Sequence, residues 1–209
     1  VMDMYEVFAP NPLLAILRNV PEDITLDYAG AILKGGVKVF EVALNSPDAL
    51  AQISMLRKAY GDQCLIGAGT AITVERAQAA LDAGAQFLLT PGTPVDVFEF
   101  CRSRDVMLLP GVMTPTDVAV SLQYGFKTMK LFPAGGLPRS YIKDLKGPFD
   151  DTSYIAIGGV TPENIPEFIA AGCLGVGLAS SLMPKDKVKN RDWDACAEYV
   201  HALAEKAKR

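Results

Sequence analysis

The sequence predicts an α/β chain folded as a single (β/α)8 barrel. Three observations carry that expectation. Short apolar runs recur eight times along the chain, one roughly every two dozen residues. Amphipathic stretches of helical period separate them, and proline and glycine mark where those stretches begin and end. Runs that are apolar without alternation are strands buried on both faces, as in a parallel sheet covered by helices. Eight such units close into a barrel, and 209 residues is near the small end for that fold. An open doubly wound sheet is the alternative, but no GxGxxG opens the first strand-to-helix turn.

Taken in order, residues 1–12 read as a short N-terminal extension, with a helix over 2–8 lying across the N-terminal end of the barrel. Strands are expected at 13–18, 37–44, 64–70, 87–92, 106–112, 128–134, 153–160 and 175–182. The intervening helices are well illustrated by 74–84. There Val74, Ala77 and Leu81 recur at three- and four-residue steps while Glu75, Arg76, Gln78 and Asp82 face away. Ser46-Pro47-Asp48, Thr93-Pro94, Thr114-Pro115 and Thr161-Pro162 each place a capping hydroxyl before a proline suited to the first helical turn. Gly35-Gly36, Gly61, Gly84, Gly125 and Gly172 mark helix ends. No linker or composition break interrupts the pattern, so 1–209 reads as one domain.

Composition narrows the function. Half of the residues are apolar and the net charge is −4, with a pI of about 5.1. Nucleic acid is not an expected partner, because its phosphate backbone demands a basic stripe. No apolar stretch approaches the roughly 20 residues of a membrane helix, so no membrane partner is expected. The opening residues lack a basic and apolar leader. Cys64, Cys101, Cys173 and Cys196 are scattered with no CxxC, as in a reduced, cytoplasmic protein.

In a barrel of this kind the active site lies at the C-terminal strand ends. Those ends read Arg18, Glu41 with Asn45, Thr70, Thr90-Pro91, Pro110-Gly111, Lys130 with Pro133, Gly158-Gly159, and 177–180. Lys130 stands out inside Thr128-Met129-Lys130-Leu131-Phe132-Pro133. A buried ammonium costs several kcal/mol unless paired or deprotonated, and a lysine whose pKa is pulled down is a Schiff-base nucleophile. A lysine snorkelling from an exposed strand end is the alternative. Glu41 is the only acid set inside an apolar strand. Burial raises its pKa and a neighbouring cation lowers it, so the sequence leaves the net direction open. Arg18 offers a planar fork for a carboxylate or phosphate, and Thr70 a hydroxyl flanked by close-approach glycine. Gly158-Gly159 and Gly177 with Ser180 fall on the two strand ends where barrel enzymes commonly bind phosphate. The only histidine, His201, reads as a surface residue of the last helix, which leaves too few ligands at the mouth for a metal.

With Arg18, Glu41, the 67–70 segment, Thr90-Pro91, Lys130-Leu131-Phe132-Pro133 and Gly158-Gly159 in this order, the chain resembles the 2-keto-3-deoxy-6-phosphogluconate/2-keto-4-hydroxyglutarate aldolase family. The resemblance runs from Pro12 to about Leu182. It implies a class I aldolase needing no metal or other cofactor, acting on a phosphorylated keto-deoxy sugar acid and assembling as a homotrimer. It also implies Lys130 as the imine-forming lysine and Glu41 as general acid and base. Arg18, Thr70 and Pro91 become contacts of the keto acid, and Gly158, Gly159, Gly177 and Ser180 contacts of the phosphate. The segment after Glu41 carries Asn45 where gluconate-type members usually have Arg, and Ile157 stands where they tend to have Thr. Both departures point toward the galactonate epimer, with the gluconate epimer or 4-hydroxy-2-oxoglutarate as alternative substrates. From another class, a phosphosugar epimerase or isomerase using Glu41 and Lys130, or a non-catalytic phospholigand barrel, requires no imine.

Overall fold

In the computed structural model, residues 3–208 are described; Met2 of the predicted N-terminal helix lies outside them, as do Val1 and Arg209. Helix α1 (Met4–Phe8) is followed by strand β1 (Leu13–Leu17), a 3-10 turn at Glu22–Ile24, α2 (Thr25–Lys34), β2 (Val39–Ala43), α3 (Ala49–Tyr60) and β3 (Leu65–Gly69). Then come α4 (Val74–Asp82), β4 (Phe87–Leu89), α5 (Val95–Ser103), β5 (Leu108–Leu109), β6 (Gly111–Val112), α6 (Pro115–Gln123) and β7 (Thr128–Leu131). The chain ends with α7 (Ser140–Lys146), β8 (Ser153–Ile157), α8 (Ile165–Ala170), β9 (Gly175–Leu178), α9 (Lys185–Lys189) and α10 (Trp193–Ala207).

All strand pairs are parallel, in the order β5-β4-β3-β2-β1-β9-β8-β7-β6. The nine runs are eight barrel staves. The fifth predicted strand is split at Pro110, which has no N–H to give to the ladder. Its two halves close the barrel: β5 pairs with β4, β6 pairs with β7, and the Pro110 carbonyl accepts from Lys130 N–H at 2.8 Å. At the seam, the buried Thr90 hydroxyl takes the place of a backbone group. It accepts from Gly111 N–H at 3.1 Å and donates to the Gly92 carbonyl at 2.7 Å.

Alternate strand positions divide two cores. Outward residues such as Ala15, Phe40, Val42, Ile66, Met129 and Tyr154 pack under the helices. Inward ones, among them Leu14, Ile16, Val39, Phe87, Leu89, Ile155 and Ile157, fill the barrel. Met4, Val7 and Phe8 join that inner cluster, so α1 plugs the N-terminal end as the sequence led us to expect.

Three of the four predicted capping hydroxyls do something else. Only Thr114 caps its helix, closing a capping box with Asp117. Asp48, with φ of 58°, precedes α3 without a side-chain cap, and Ser46 instead accepts from the Asn19 N–H at 2.9 Å. Pro94 and Asn164 stand at the caps of α5 and α8, displacing Thr93 and Thr161. At Ser46 cross-loop bonding outcompetes local capping, whereas Thr161 is held locally, its N–H donating to Asn164 Oδ1 at 2.8 Å. The glycines expected at helix ends hold: Gly36, Gly84, Gly125 and Gly172 all take positive φ.

Candidate active site

Glu41 and Lys130 both occupy inward positions near the tops of their strands. Glu41 lies two residues beyond Val39 on β2, in register with Ile16 of β1 and Gly67 of β3. Lys130 is in register with Gly111 and Ile155. Strand alternation, set by the flanking apolar residues, therefore turns both into the barrel interior. They are 1% and 4% exposed.

Burial dominates the electrostatics of both groups. It pushes the Glu41 carboxyl above its ordinary range, with the Lys130 and Arg18 charges pulling back. It pushes the Lys130 ammonium below its ordinary range, opposed by Glu41 and reinforced by Arg18. Both shifts favour neutral forms, and this answers the direction the sequence left open for Glu41. Glu41 Oε2 is buried without a hydrogen-bond partner. The Lys130 Nζ sits 4.8 Å from the centre of the Phe132 ring, on the same inward face.

Gly69 sets where the carboxylate lies. A Cβ on Gly69 would strike Glu41 Oε1 and its carboxyl carbon, so the acid occupies volume that any other residue at 69 would fill. Gly67, one inward step below, faces the Phe87 ring in the same way, with ring carbons at 2.5–2.6 Å from a Cβ placed there. The sequence reading saw these glycines only as a flank to Thr70.

The other predicted residues divide into those at the mouth and those beneath it. Arg18 is exposed at the end of β1. Thr70 adopts φ of 62° and its hydroxyl donates to Asn45 Oδ1 at 3.4 Å, which brings the predicted keto-acid and specificity positions together. Pro91 follows Thr90 at the seam, and Gly111 must lack a side chain because a Cβ would meet the Thr90–Gly92 backbone. Ile157, 4% exposed, faces inward. Gly177 is buried within β9, where its missing side chain makes room for Ile157 and Ile16.

Gly158 and Gly159, with φ of 84° and 75°, form the turn after β8. The loop after β7 lies directly on it: Gly135 N–H donates to the Gly158 carbonyl at 2.7 Å, and Ala134 N–H to Ile157 at 2.9 Å. A Cβ at Gly159 would approach Gly135 Cα to 2.9 Å. Sequence reasoning missed Gly135, although Gly135-Gly136 directly after the lysine strand was a visible signal. Ser180 lies in the turn two residues past β9 and shares a cavity with Arg18 and Ile16. Among the described residues, no three His, Cys, Asp or Glu side chains gather as a metal-ligating group. His201 is exposed on α10, beside Glu205.

Residues 5–199 match the family described as "Aldolase: KDPG and KHG aldolase". The chain belongs to that aldolase family.

A 2-dehydro-3-deoxy-6-phosphogalactonate aldolase from Escherichia coli (strain K12) is 36% identical over 195 residues, covering 93% of this chain and 95% of the relative. A solved structure described as native KDPGal superposes with a TM-score of 0.83 at 36% identity, over 93% of this chain and 95% of the other. The KDPG aldolase from Legionella pneumophila, solved with pyruvate captured at low pH as a covalent carbinolamine, gives a TM-score of 0.88 at 29% identity. That match covers 97% of this chain and 98% of the other. For a member of this aldolase family, the barrel, the inward lysine and the inward glutamate are thus set out on one scaffold.

Proposed function

We propose that this aldolase-family chain is a class I enzyme that cleaves 2-keto-3-deoxy-6-phosphogalactonate to pyruvate and glyceraldehyde 3-phosphate through an imine on Lys130. One observation carries the proposal: an amine and a carboxyl share the closed top of the barrel interior, and burial drives each toward its neutral form. A neutral amine has the lone pair that attacks a keto carbon. A protonated carboxyl can give its proton to the departing hydroxyl as the carbinolamine dehydrates, and is then a base.

The steps follow from the residues. Lys130 adds to the C2 carbonyl and, with loss of water, forms an iminium. Glu41, directly or through water, takes the proton from the C4 hydroxyl. The electrons of the C3–C4 bond flow into the iminium, leaving an enamine and releasing glyceraldehyde 3-phosphate. Protonation of the enamine at C3 and hydrolysis of the imine give pyruvate and free Lys130. Arg18, Thr70 and Pro91 hold the keto-acid end, while Gly158, Gly159 and Ser180, with Gly177 beneath them, hold the phosphate. Asn45 and Ile157 select the galactonate epimer. No metal or cofactor enters any step.

The chain is further proposed to work as a cytoplasmic homotrimer, on the family resemblance. The free thiols Cys64, Cys101 and Cys196 suit a reducing compartment. Ile72 and Met113, exposed on the loops after β3 and β6, and Val95, exposed at the start of α5, supply apolar surface for assembly.

Borohydride trapping tests the chemistry. Pyruvate with borohydride should inactivate the protein and leave a reduced pyruvyl group on Lys130 alone, with Lys130→Met refusing the label. Label on Lys127 or Lys143, or none at all, sinks the imine and leaves the epimerase or binding-barrel readings standing.

A further inference from the structure

Beside the mouth lies a cavity of about 660 Å3, walled by the end of β1 and the loop after it on one side and by the end of β9 and α9 on the other. Ile16, the register partner of Glu41, is among its lining residues, so the cavity borders the barrel interior on the β1 side. Its charged lining is Arg18, Asp23, Lys185, Lys189 and Arg191, with the hydroxyl residues Tyr28 and Ser180 beside them. Four cations and one carboxylate around a single concavity is an inversion of sign in a chain of net charge −4.

Pairing sharpens the inversion. Arg191, just past α9, is occupied by Asp23 at 2.8 Å, and Lys187 on α9 pairs with Asp192 at 3.6 Å. Lys185 and Lys189 stand four residues apart on α9, both exposed, and among the described residues neither meets a carboxylate within ion-pair distance. An unpaired charge at a concave rim keeps its field, because low-dielectric walls focus it into the opening.

We propose that Lys185 and Lys189 form an electrostatic guide that draws the phosphate dianion of the substrate across this cavity to Ser180 and the Gly158-Gly159 turn. The idea rests on the aldolase reading for the identity of its substrate. A sugar acid carrying a carboxylate and a phosphate is repelled at long range by a protein of negative net charge, and two free cations beside the phosphate end reverse that locally. The guide touches no reacting atom. It raises the rate of capture, so its effect belongs to kcat/KM, and salt screens it over a Debye length of roughly 10 Å at 0.1 M.

The test compares two double variants of equal charge. K185Q/K189Q removes the guide; K38Q/K58Q removes two exposed lysines at the opposite, N-terminal end of the barrel. At low salt, kcat/KM for the phosphorylated substrate should fall about threefold to tenfold in K185Q/K189Q, with its salt dependence flattened and kcat within twofold. K38Q/K58Q should keep both the rate and the salt dependence of the parent. An equal loss in both pairs would reduce the effect to net charge and overturn the proposal. So would a fall in kcat alone, or an unaltered salt dependence in K185Q/K189Q. If the parent protein does not turn over the phosphorylated keto acid, the aldolase reading fails by itself, and the guide is then judged on inorganic phosphate. By calorimetry at low salt, phosphate should bind more weakly to K185Q/K189Q than to K38Q/K58Q, and equal affinities would overturn it.

Discussion

At the N-terminal end of the barrel, α1 presses Met4, Val7 and Phe8 onto an interior of leucine, valine and phenylalanine. At the other end of the same strands, the same inward positions hold Glu41 and Lys130, buried just as deeply. On β2 the change from one regime to the other takes a single step, from Val39 to Glu41, about 7 Å along the strand. Burial that stabilises at one end is costly at the other, since each desolvated ionisable group gives up hydration and Glu41 Oε2 gains no hydrogen bond in return. The difference teaches where this fold can hold costly polar groups: at the end opposite the apolar plug, whose burial supports them.

Breaking the mouth should leave the base intact. Glu41→Gln keeps the shape of the side chain but removes the proton shuttle, and cleavage should slow by ~10²–10⁴-fold while pyruvate still binds. Stability should respond with a definite sign. A carboxyl whose pKa is raised in the fold contributes stability that is full below the unfolded carboxylate pKa and is lost as pH rises through the folded value. The glutamine variant escapes that loss, so its urea midpoint should decline less than the parent's from acid to neutral pH. A variant that unfolds more easily but retains turnover in its folded fraction would make Glu41 a structural partner only.

Breaking the base should leave the mouth intact. Phe8 is fully buried in the plug, and Phe8→Ala should cost ~3–5 kcal/mol in denaturant unfolding. The kcat of the folded protein should hold steady. A kcat that fell in step with stability would show that the two ends are coupled, and the comparison would fail.

The smallest effect sharpens the mouth itself. Ile157 faces the chamber without a hydroxyl to offer, and an unpaired polar group on the wrong epimer costs ~1–3 kcal/mol. The galactonate epimer should therefore be cleaved roughly tenfold to a hundredfold better than the gluconate one in kcat/KM. Ile157→Thr should narrow the gap by improving the gluconate rate. Equal rates in the parent would remove Asn45 and Ile157 from the specificity argument.

The strands, the plug helix and the pair Glu41 and Lys130 were legible in the sequence, because each is a contrast within a short window: apolar runs against amphipathic ones, and a charge inside an apolar run. Features that depend on contact between distant segments were not. Pro110 was visible, but its consequence, a stave split and bridged by the Thr90 hydroxyl, depends on which strand lies alongside. Ser46 read as a helix cap because its neighbours suit one; in the fold it reaches across 27 residues to Asn19. Gly69 and Gly135 carry no sign of what leans on them. The cationic cavity draws on β1 and on a helix more than 160 residues later, so no local window contains it.

Gly69 has a meaning for anyone who would remodel this mouth. Most walls of a barrel can be redecorated, since a side chain added at a strand end points into open space and offers a new contact. The β3 wall offers no such freedom. With Phe87 filling the void over Gly67 and the Glu41 carboxylate filling the one over Gly69, every inward position near the top of that strand is already furnished by a neighbour. A library that varies those codons would mostly sample displaced acids.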